Sequence, residues 1–390
     1  MKSKNNIRAI VLIFASMLIM SLTAGLKGVL VPVWKSTFVI DSKAIALLFT
    51  FESVSYLLAI YFGGRLVEKI GSSKVLAGAL ATLTLFLLII FSSQTYFVLC
   101  LGMLGQGIAL GLVTLAINIT VPNFKVTRKA VLMNLVHFCF GLGLATSQRL
   151  SGYFLYKNVS WRVFFPVLAS ISFILAIFVF FTELPQAEKR ANSKSKSVKN
   201  NLSIYVGLII MLGFYLIGEI GTSNWFVSYA VEGRAINSND SSFYLSLFFM
   251  LFTGGRLVGG FIVEKMPYLT AIIGTTLISA FIYLFGIIRG VDGLLFISIA
   301  GFFQSIIYPT LMLTIAVLFK GNQARATANI TAISHMIFLV GNNIIGILND
   351  AYGVVKTFYV LPISMFISAL ASLIVVFIIK KQKSEQVISG

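Results

Sequence analysis

The chain consists of long apolar runs separated by short polar segments. A helix that crosses the hydrocarbon core of a bilayer needs about 20 apolar residues. Twelve runs meet this requirement within a few residues, at 9–33, 44–67, 75–93, 97–121, 130–154, 161–182, 204–231, 242–264, 268–288, 293–319, 326–348 and 357–379. The pattern therefore predicts an all-α membrane protein with 12 transmembrane helices.

One connection is much longer than the others. Residues 183–203 read ELPQAEKRANSKSKSVKNNLS, a polar segment rich in Ser and Lys that has little to bury. It divides the predicted helices into an N-terminal six-helix bundle at 1–182 and a C-terminal six-helix bundle at 204–390. We interpret the segment itself as a cytoplasmic linker.

The composition supports this interpretation. Hydrophobic residues make up 58% of the 390 residues and charged residues 11%, whereas about a quarter of a typical soluble chain is charged. The apolar bias runs from residue 9 to residue 379, which excludes a soluble enzyme with a membrane tail. The first apolar run is also too long for the core of a signal peptide.

The formal net charge of +18 would suggest nucleic-acid binding in a soluble protein. With the N-terminus in the cytoplasm, however, 19 Lys and Arg residues fall on the cytoplasmic side, seven outside and four within the spans. Cytoplasmic loops of membrane proteins carry such an excess of basic residues. We predict a multi-pass protein of the cytoplasmic membrane with both termini cytoplasmic and with no nucleic-acid partner.

Enzyme chemistry finds no support in the sequence. Cys100 and Cys139 lie inside apolar runs and resemble small hydrophobic residues rather than metal ligands. The chain has no nucleotide-binding loop and no catalytic-triad spacing. We therefore expect no enzyme activity, no cofactor and no bound metal.

The two halves share fragments at similar offsets. The segments 63–69 and 259–265 both read Gly-Gly-x-x-Val-Glu-Lys, and they end the second and eighth predicted helices. The two histidines, His137 and His335, are 198 residues apart in the fifth and eleventh helices. Such offsets indicate two bundles related by a parallel repeat.

The loop after the second helix carries a glycine and charge pattern, with Gly64, Glu68, Lys69, Gly71 and Lys74 at fixed spacing. It resembles a signature of the major facilitator superfamily, with Glu68 in the place of the usual Asp. The resemblance implies a charge cluster that latches the cytoplasmic ends of helices in one state of the transporter. We predict the same gating role in the second half for Arg256, Glu264 and Lys265.

Four further segments, at 134–143, 218–232, 255–259 and 303–310, resemble the fucose–proton symporter family. The resemblance implies a sugar symporter with the major facilitator fold. That family uses one acid in helix 1 and one in helix 4, and these positions fall at Gly28 and Thr114 here. The coupling cation, proton or sodium, is therefore open, as is passive transport.

Ionisable and polar residues inside spans are candidates for function. We predict that Glu219 binds substrate or carries a coupling proton, and that Asn224 and Trp225 contact a sugar. Further candidates for the substrate cavity are the amides Asn118, Gln304 and Asn342. The two histidines either relay protons or bond neighbouring helices.

A second group comprises Lys27, Glu52 and Arg149, which lie at similar depths in helices 1, 2 and 5. One hypothesis is an outer vestibule for an anionic or hydroxyl-rich solute, in which Lys27 and Arg149 bind substrate and Glu52 takes part in coupling. The alternative is an ion pair together with an arginine that snorkels to the interface.

These features predict a secondary active transporter that moves a small polar solute, a sugar or a related, in some cases anionic molecule, by cation symport. The alternative is a drug or lipid efflux antiporter of the same superfamily. A membrane receptor that does not transport ranks third. The expected partners are the solute, the coupling cation and the lipid bilayer, and the expected state is a monomer.

Overall fold

A computed structural model of the chain describes residues 2–124, 129–185, 202–263, 265–319 and 323–388. The helices of the first half are α1 (Lys2–Phe38), α2 (Ser42–Ile70), α3 (Ser72–Ser92), α4 (Tyr96–Thr120), α5 (Lys129–Tyr156) and α6 (Phe164–Phe180). Those of the second half are α7 (Leu202–Arg234), α8 (Ser238–Val263), α9 (Tyr268–Arg289), α10 (Leu294–Gln304), α11 (Ile307–Leu318), α12 (Gln323–Tyr352), α13 (Val354–Thr357) and α14 (Val360–Ile388).

The helices follow the predicted spans closely. Within the described ranges, ten segments are long and apolar enough to cross a membrane. One of them, Tyr268–Leu318, contains both the ninth and the tenth predicted spans. Helix α5 is not among the ten, but it covers the predicted span 130–154. The prediction of an all-α membrane protein is therefore confirmed.

The tenth predicted span, 293–319, differs from the prediction because it is not one continuous helix. It is interrupted at Ser305 and Ile306, between α10 and α11. Pro309 lies in the first turn of α11, where its missing N–H is tolerated. The same missing donor deprives the Ser305 carbonyl of its usual partner four residues on, which explains why the helix breaks here.

The turn between α2 and α3 is a single residue, Gly71. Its φ of 86° and ψ of 156° belong to a region that favours glycine, and its N–H donates to the Val67 carbonyl over 2.9 Å. This conformation explains the glycine in the loop pattern independently of any gating role. It places the end of α2 and the start of α3 next to each other.

We expect Gly71→Ala to lower the stability of the protein by about 1–3 kcal/mol, since a Cβ strains this conformation. The measurement is the thermal unfolding midpoint in detergent. The matched control is Gly78→Ala within α3, where an added Cβ meets no atom within 4 Å. The control should be neutral or slightly stabilising, and an equal loss in both variants would contradict the strain argument.

Contacts divide the chain into two compact units. The first unit is Met1–Ala191 with Asn237–Ser246, and the second is Asn192–Ile236 with Leu247–Gly390. Helix α8 is thus divided, because its first turns belong to the first unit. The predicted bundle bounds stay a prediction, and residues 186–201 of the predicted linker lie outside the described residues.

Within each unit, serine hydroxyls bond the backbone of neighbouring helices. In the first unit, Ser172 of α6 donates to the Leu80 carbonyl of α3 over 2.9 Å. In the second, Ser368 of α14 donates to the Met211 carbonyl of α7 over 2.7 Å. Such bonds and close small-residue contacts hold helices together in lipid, where hydrophobic burial adds little.

Candidate functional site

Polar side chains from four helices meet around Glu219 within the second unit. We call Tyr215, Glu219, Arg256, Gln304 and Tyr308 the α7 cluster. Tyr215 and Glu219 are four residues apart on α7 and therefore share a helix face. The Glu219 carboxylate interacts with the Tyr215 hydroxyl and with the positive charge of Arg256. Tyr308, in the first turn of α11, lies near both charged groups.

The break between α10 and α11 belongs to this cluster. Tyr215 donates a hydrogen bond to the backbone carbonyl of Gln304, the last residue of α10, over 3.0 Å. Interrupted helices are typical of membrane binding sites, since irregular backbone at membrane depth is tolerated where protein groups or a cavity surround it. The interruption thus lies next to Tyr215, and Tyr308 just after it is near enough to Glu219 to be affected by its charge.

The cluster retains hydrogen-bonding capacity. The Arg256 guanidinium lies 4.5 Å from the centre of the Phe252 ring, and its Nε has no hydrogen-bond partner among the described residues. The Gln304 side chain is fully buried, and its Oε1 likewise lacks a partner within the described ranges. Arg256 thus keeps an unused donor, and its charge acts on Glu219. Gln304 keeps an unused acceptor at the end of α10, where its backbone carbonyl accepts from Tyr215.

The structure places Arg256 differently from the sequence interpretation. Arg256 was expected to act with Glu264 as a gating charge, and its positive charge acts on the Glu219 carboxylate within the second unit. Glu264 lies outside the described residues, and Lys265 beside it is exposed. Arg256 therefore belongs with the candidate binding residues.

Asn224, Trp225 and Asn342 form a separate, buried group. The Asn342 Oδ1 accepts hydrogen bonds from Asn224 Nδ2 over 3.3 Å and from Trp225 Nε1 over 3.1 Å. All three side chains are buried. The Trp225 N–H joins α7 to α12, and the burial of the ring, which is 2% exposed, leaves no open face for the expected stacking on a sugar in this structure.

In the first unit, Lys27 and Glu52 form the expected ion pair. Lys27 Nζ lies 2.6 Å from Glu52 Oε2, with side-chain exposures of 21% and 5%. Gln106 Nε2 donates to the other carboxylate oxygen over 3.4 Å. Gly107, the next residue of α4, lets the backbones approach, since an added Cβ would collide with the Glu52 carbonyl.

Arg149 does not join this pair, contrary to the predicted three-residue vestibule. Its Nη1 donates to Asn239 Oδ1 over 2.7 Å, and its guanidinium lies about 6 Å from the rings of Tyr153 and Phe243. Asn239 belongs to the part of α8 that packs within the first unit. The prediction of a common cluster was wrong because side chains at a similar depth on different helices can point in different directions.

The remaining residues predicted for coupling or substrate binding lie on three different helices. His335 Nδ1 bonds the Thr331 carbonyl of its own helix over 2.8 Å, and His137 is partly buried in α5. Asn118 is exposed near the end of α4. The predicted roles of these three residues stay predictions.

The loop pattern after α2 forms no latch in the described part of the chain. Glu68, Lys69 and Lys74 are exposed, and none of them makes an ion pair with another described residue. Gly64 is partly exposed, and an added Cβ there would meet no atom within 4 Å. A gating role for these residues therefore stays a prediction.

Sequence reasoning missed Gln106, Tyr215 and Tyr308. The signal for Gln106 was an amide between Gly105 and Gly107 in an apolar helix, where a close helix contact is expected. For Tyr215 it was the spacing of four residues from Glu219. Tyr308 carried no comparable signal, because its proximity follows from the helix interruption.

Comparison with known proteins agrees with this architecture. The family model of the major facilitator superfamily matches residues 12–313. The chain therefore belongs to the major facilitator superfamily of membrane transporters.

Two relatives are similar to this chain at low sequence identity. A protein TsgA homolog of Buchnera aphidicola subsp. Baizongia pistaciae is 24% identical over 274 residues, which cover 69% of each chain. A cis,cis-muconate transport protein of Acinetobacter baylyi is 20% identical over 296 residues, covering 70% of each.

Solved transporter structures share the fold. A mutant form of the nucleoside transporter NupG matches with a TM-score of 0.78 at 13% identity, covering 95% of this chain and 99% of the other. A D-xylose–proton symporter matches with a TM-score of 0.75 at 11% identity, covering 95% and 96%. The fucose:proton symporter of E. coli matches with a TM-score of 0.62 at 16% identity, covering 95% and 99%.

Proposed function

We propose that this transporter moves a small polar solute, a sugar or a sugar-like and in some cases anionic molecule, across the cytoplasmic membrane. The α7 cluster carries the proposal. It combines a carboxylate, a guanidinium, two tyrosine hydroxyls and an unused amide oxygen beside a helix interruption. This donor and acceptor set suits a solute with several hydroxyl or carboxylate groups.

The proposed mechanism is alternating access of two six-helix bundles, 1–182 and 204–390, around a site near the bilayer midplane. Binding favours the occluded state because the solute makes more contacts there. We propose cation coupling through Glu219, the acid of the α7 cluster. The excess of basic residues in alternate loops supports a cytoplasmic location of both termini and of the linker.

The alternative function, efflux of a drug or lipid, is favoured by one observation in the first unit. A groove of about 680 Å³ between α2 and α4 is lined mainly by apolar side chains, among them Phe51, Val54, Leu58, Phe62 and Leu104. A lipophilic molecule would suit such a surface better than a sugar would. The described residues that line the groove include no charged side chain that would bind a polar solute.

Reconstitution in liposomes tests the two functions against each other. Labelled D-xylose, fucose, glucuronate, cis,cis-muconate and the dye ethidium are supplied under an imposed proton gradient and then under a sodium gradient. We expect accumulation of at least one of the four polar solutes, with loss of accumulation when the gradient is dissipated. Gradient-driven movement of ethidium alone would support efflux and contradict the proposed function.

A further inference from the structure

Gln148 of α5 is a buried amide that makes no use of its hydrogen-bonding groups. The side chain is 1% exposed, and neither Nε2 nor Oε1 has a hydrogen-bond partner in the described part of the chain. Its backbone carbonyl accepts from the Ser151 hydroxyl over 3.2 Å, so only the side chain is unpartnered. A carboxamide carries two donor hydrogens and an acceptor oxygen.

Burying an amide without hydrogen bonds lowers the stability of the folded protein. Leaving a buried donor or acceptor unsatisfied costs about 1–3 kcal/mol per group. An apolar side chain of similar size would avoid this cost without leaving a cavity. Unsatisfied buried groups are uncommon in native proteins, and they concentrate where strain serves function.

The neighbouring residues define the face on which Gln148 lies. Ser147 donates to the Leu22 carbonyl of α1, and Arg149 donates to Asn239 in the first turns of α8. Successive residues of a helix are rotated by about 100°. Gln148 therefore lies between the face of α5 that contacts α1 and the face that contacts residues 237–246.

We propose that Gln148 is a solute-binding residue of the first unit, exposed to the transport pathway in another state of the cycle, where its amide bonds hydroxyl or carboxylate groups of the solute. The proposal rests on the proposed function, because it assumes a polar cargo. The proposal explains an amide at this position. Its burial costs stability in this state, and its hydrogen bonds to the solute stabilise the state in which this face of α5 is exposed. Gln148 and the α7 cluster would then supply polar groups from the two units separately.

The first test needs no knowledge of the cargo. Gln148→Cys is made in a Cys100→Ser/Cys139→Ser background and treated with a membrane-impermeant methanethiosulfonate. The control is Ser172→Cys in α6, where the native hydroxyl is fully buried and bonded to the backbone of α3. We expect labelling at Gln148→Cys at least about tenfold faster than at the control, since only Gln148 becomes exposed in the cycle. Equal rates would overturn the proposal.

The second test separates binding from packing. Gln148→Leu removes the unsatisfied amide, so we expect a higher thermal unfolding midpoint together with at least about a tenfold loss of polar-solute uptake. Gln148→Asn should retain part of the uptake, because it keeps the amide. A lower midpoint for Gln148→Leu would show a structural partner, and unchanged uptake would show no binding role; either result overturns the proposal.

The proposed function and the proposed role of Gln148 can be contradicted independently of each other. A wild-type chain that moves none of the four polar solutes contradicts the proposed function. The labelling rates and the unfolding midpoints still decide whether Gln148 is a concealed pathway residue, because neither readout requires transport of a known solute.

Discussion

Replacing Glu219 by Gln should abolish concentrative uptake in reconstituted vesicles. The substitution preserves size but removes the negative charge that interacts with Arg256 and the proton-accepting group of the α7 cluster. A hydrogen bond from the solute to a charged group contributes about 1.5–3 kcal/mol, and losing it corresponds to at least about a tenfold loss of solute affinity. The measurement is the accumulation ratio of each polar solute under the coupling gradient.

The matched control is Glu232→Gln on the same helix. Glu232 is exposed and accepts a hydrogen bond from Ser228 over 2.7 Å, at the opposite end of α7 from residue 202 and away from the cluster. Uptake by this variant should stay close to that of the wild type. Accumulation by Glu219→Gln that matches the wild type would eliminate Glu219 as a coupling or binding residue.

Replacing Lys27 by Met should strongly destabilise the protein. The change leaves the Glu52 carboxylate, which is 4% exposed, with only Gln106 as a side-chain partner among the described residues. Breaking a buried ion pair on one side costs about 3–5 kcal/mol, whereas replacing both partners is often tolerated. We therefore expect a large drop in the unfolding midpoint for Lys27→Met and recovery in the double variant Lys27→Met/Glu52→Gln.

The control for this prediction is Lys35→Met, near the end of α1, where Lys35 Nζ donates to Ser42 Oγ over 3.1 Å. We expect a change within about 1 kcal/mol there. The stable double variant also tests binding: if Lys27 attracts anionic solutes, uptake of glucuronate and muconate should fall more than that of D-xylose. Equal effects on both classes would leave Lys27 and Glu52 as a structural ion pair.

Much of the architecture could be predicted because it depends on local properties. Run length predicted the spans, and the scarcity of acids inside them singled out Glu219 and Glu52. Pro309 also indicated the break in the tenth predicted span. The span was predicted from the length of an apolar run, and that length does not reveal a helix break.

The composition of the candidate site could not be predicted in the same way. Arg256 and Tyr308 are far from Glu219 in the chain, and their proximity to it depends on how α7, α8 and α11 are rotated and paired. Arg149 illustrates the same limit, because a similar predicted depth did not indicate that its side chain bonds Asn239.

Local sequence patterns were enough to predict the all-α membrane fold, the membership of a transporter superfamily and the few charged groups inside the spans. Helix packing places the polar groups relative to one another: Lys27 and Gln106 bond Glu52, the charge of Arg256 acts on Glu219, and the Gln148 side chain has no hydrogen-bond partner among the described residues. The difference arises because bilayer thickness sets the apolar length of each helix separately. In contrast, the rotation of each helix about its axis and the helices against which it packs depend on contacts and hydrogen bonds along several helices at once.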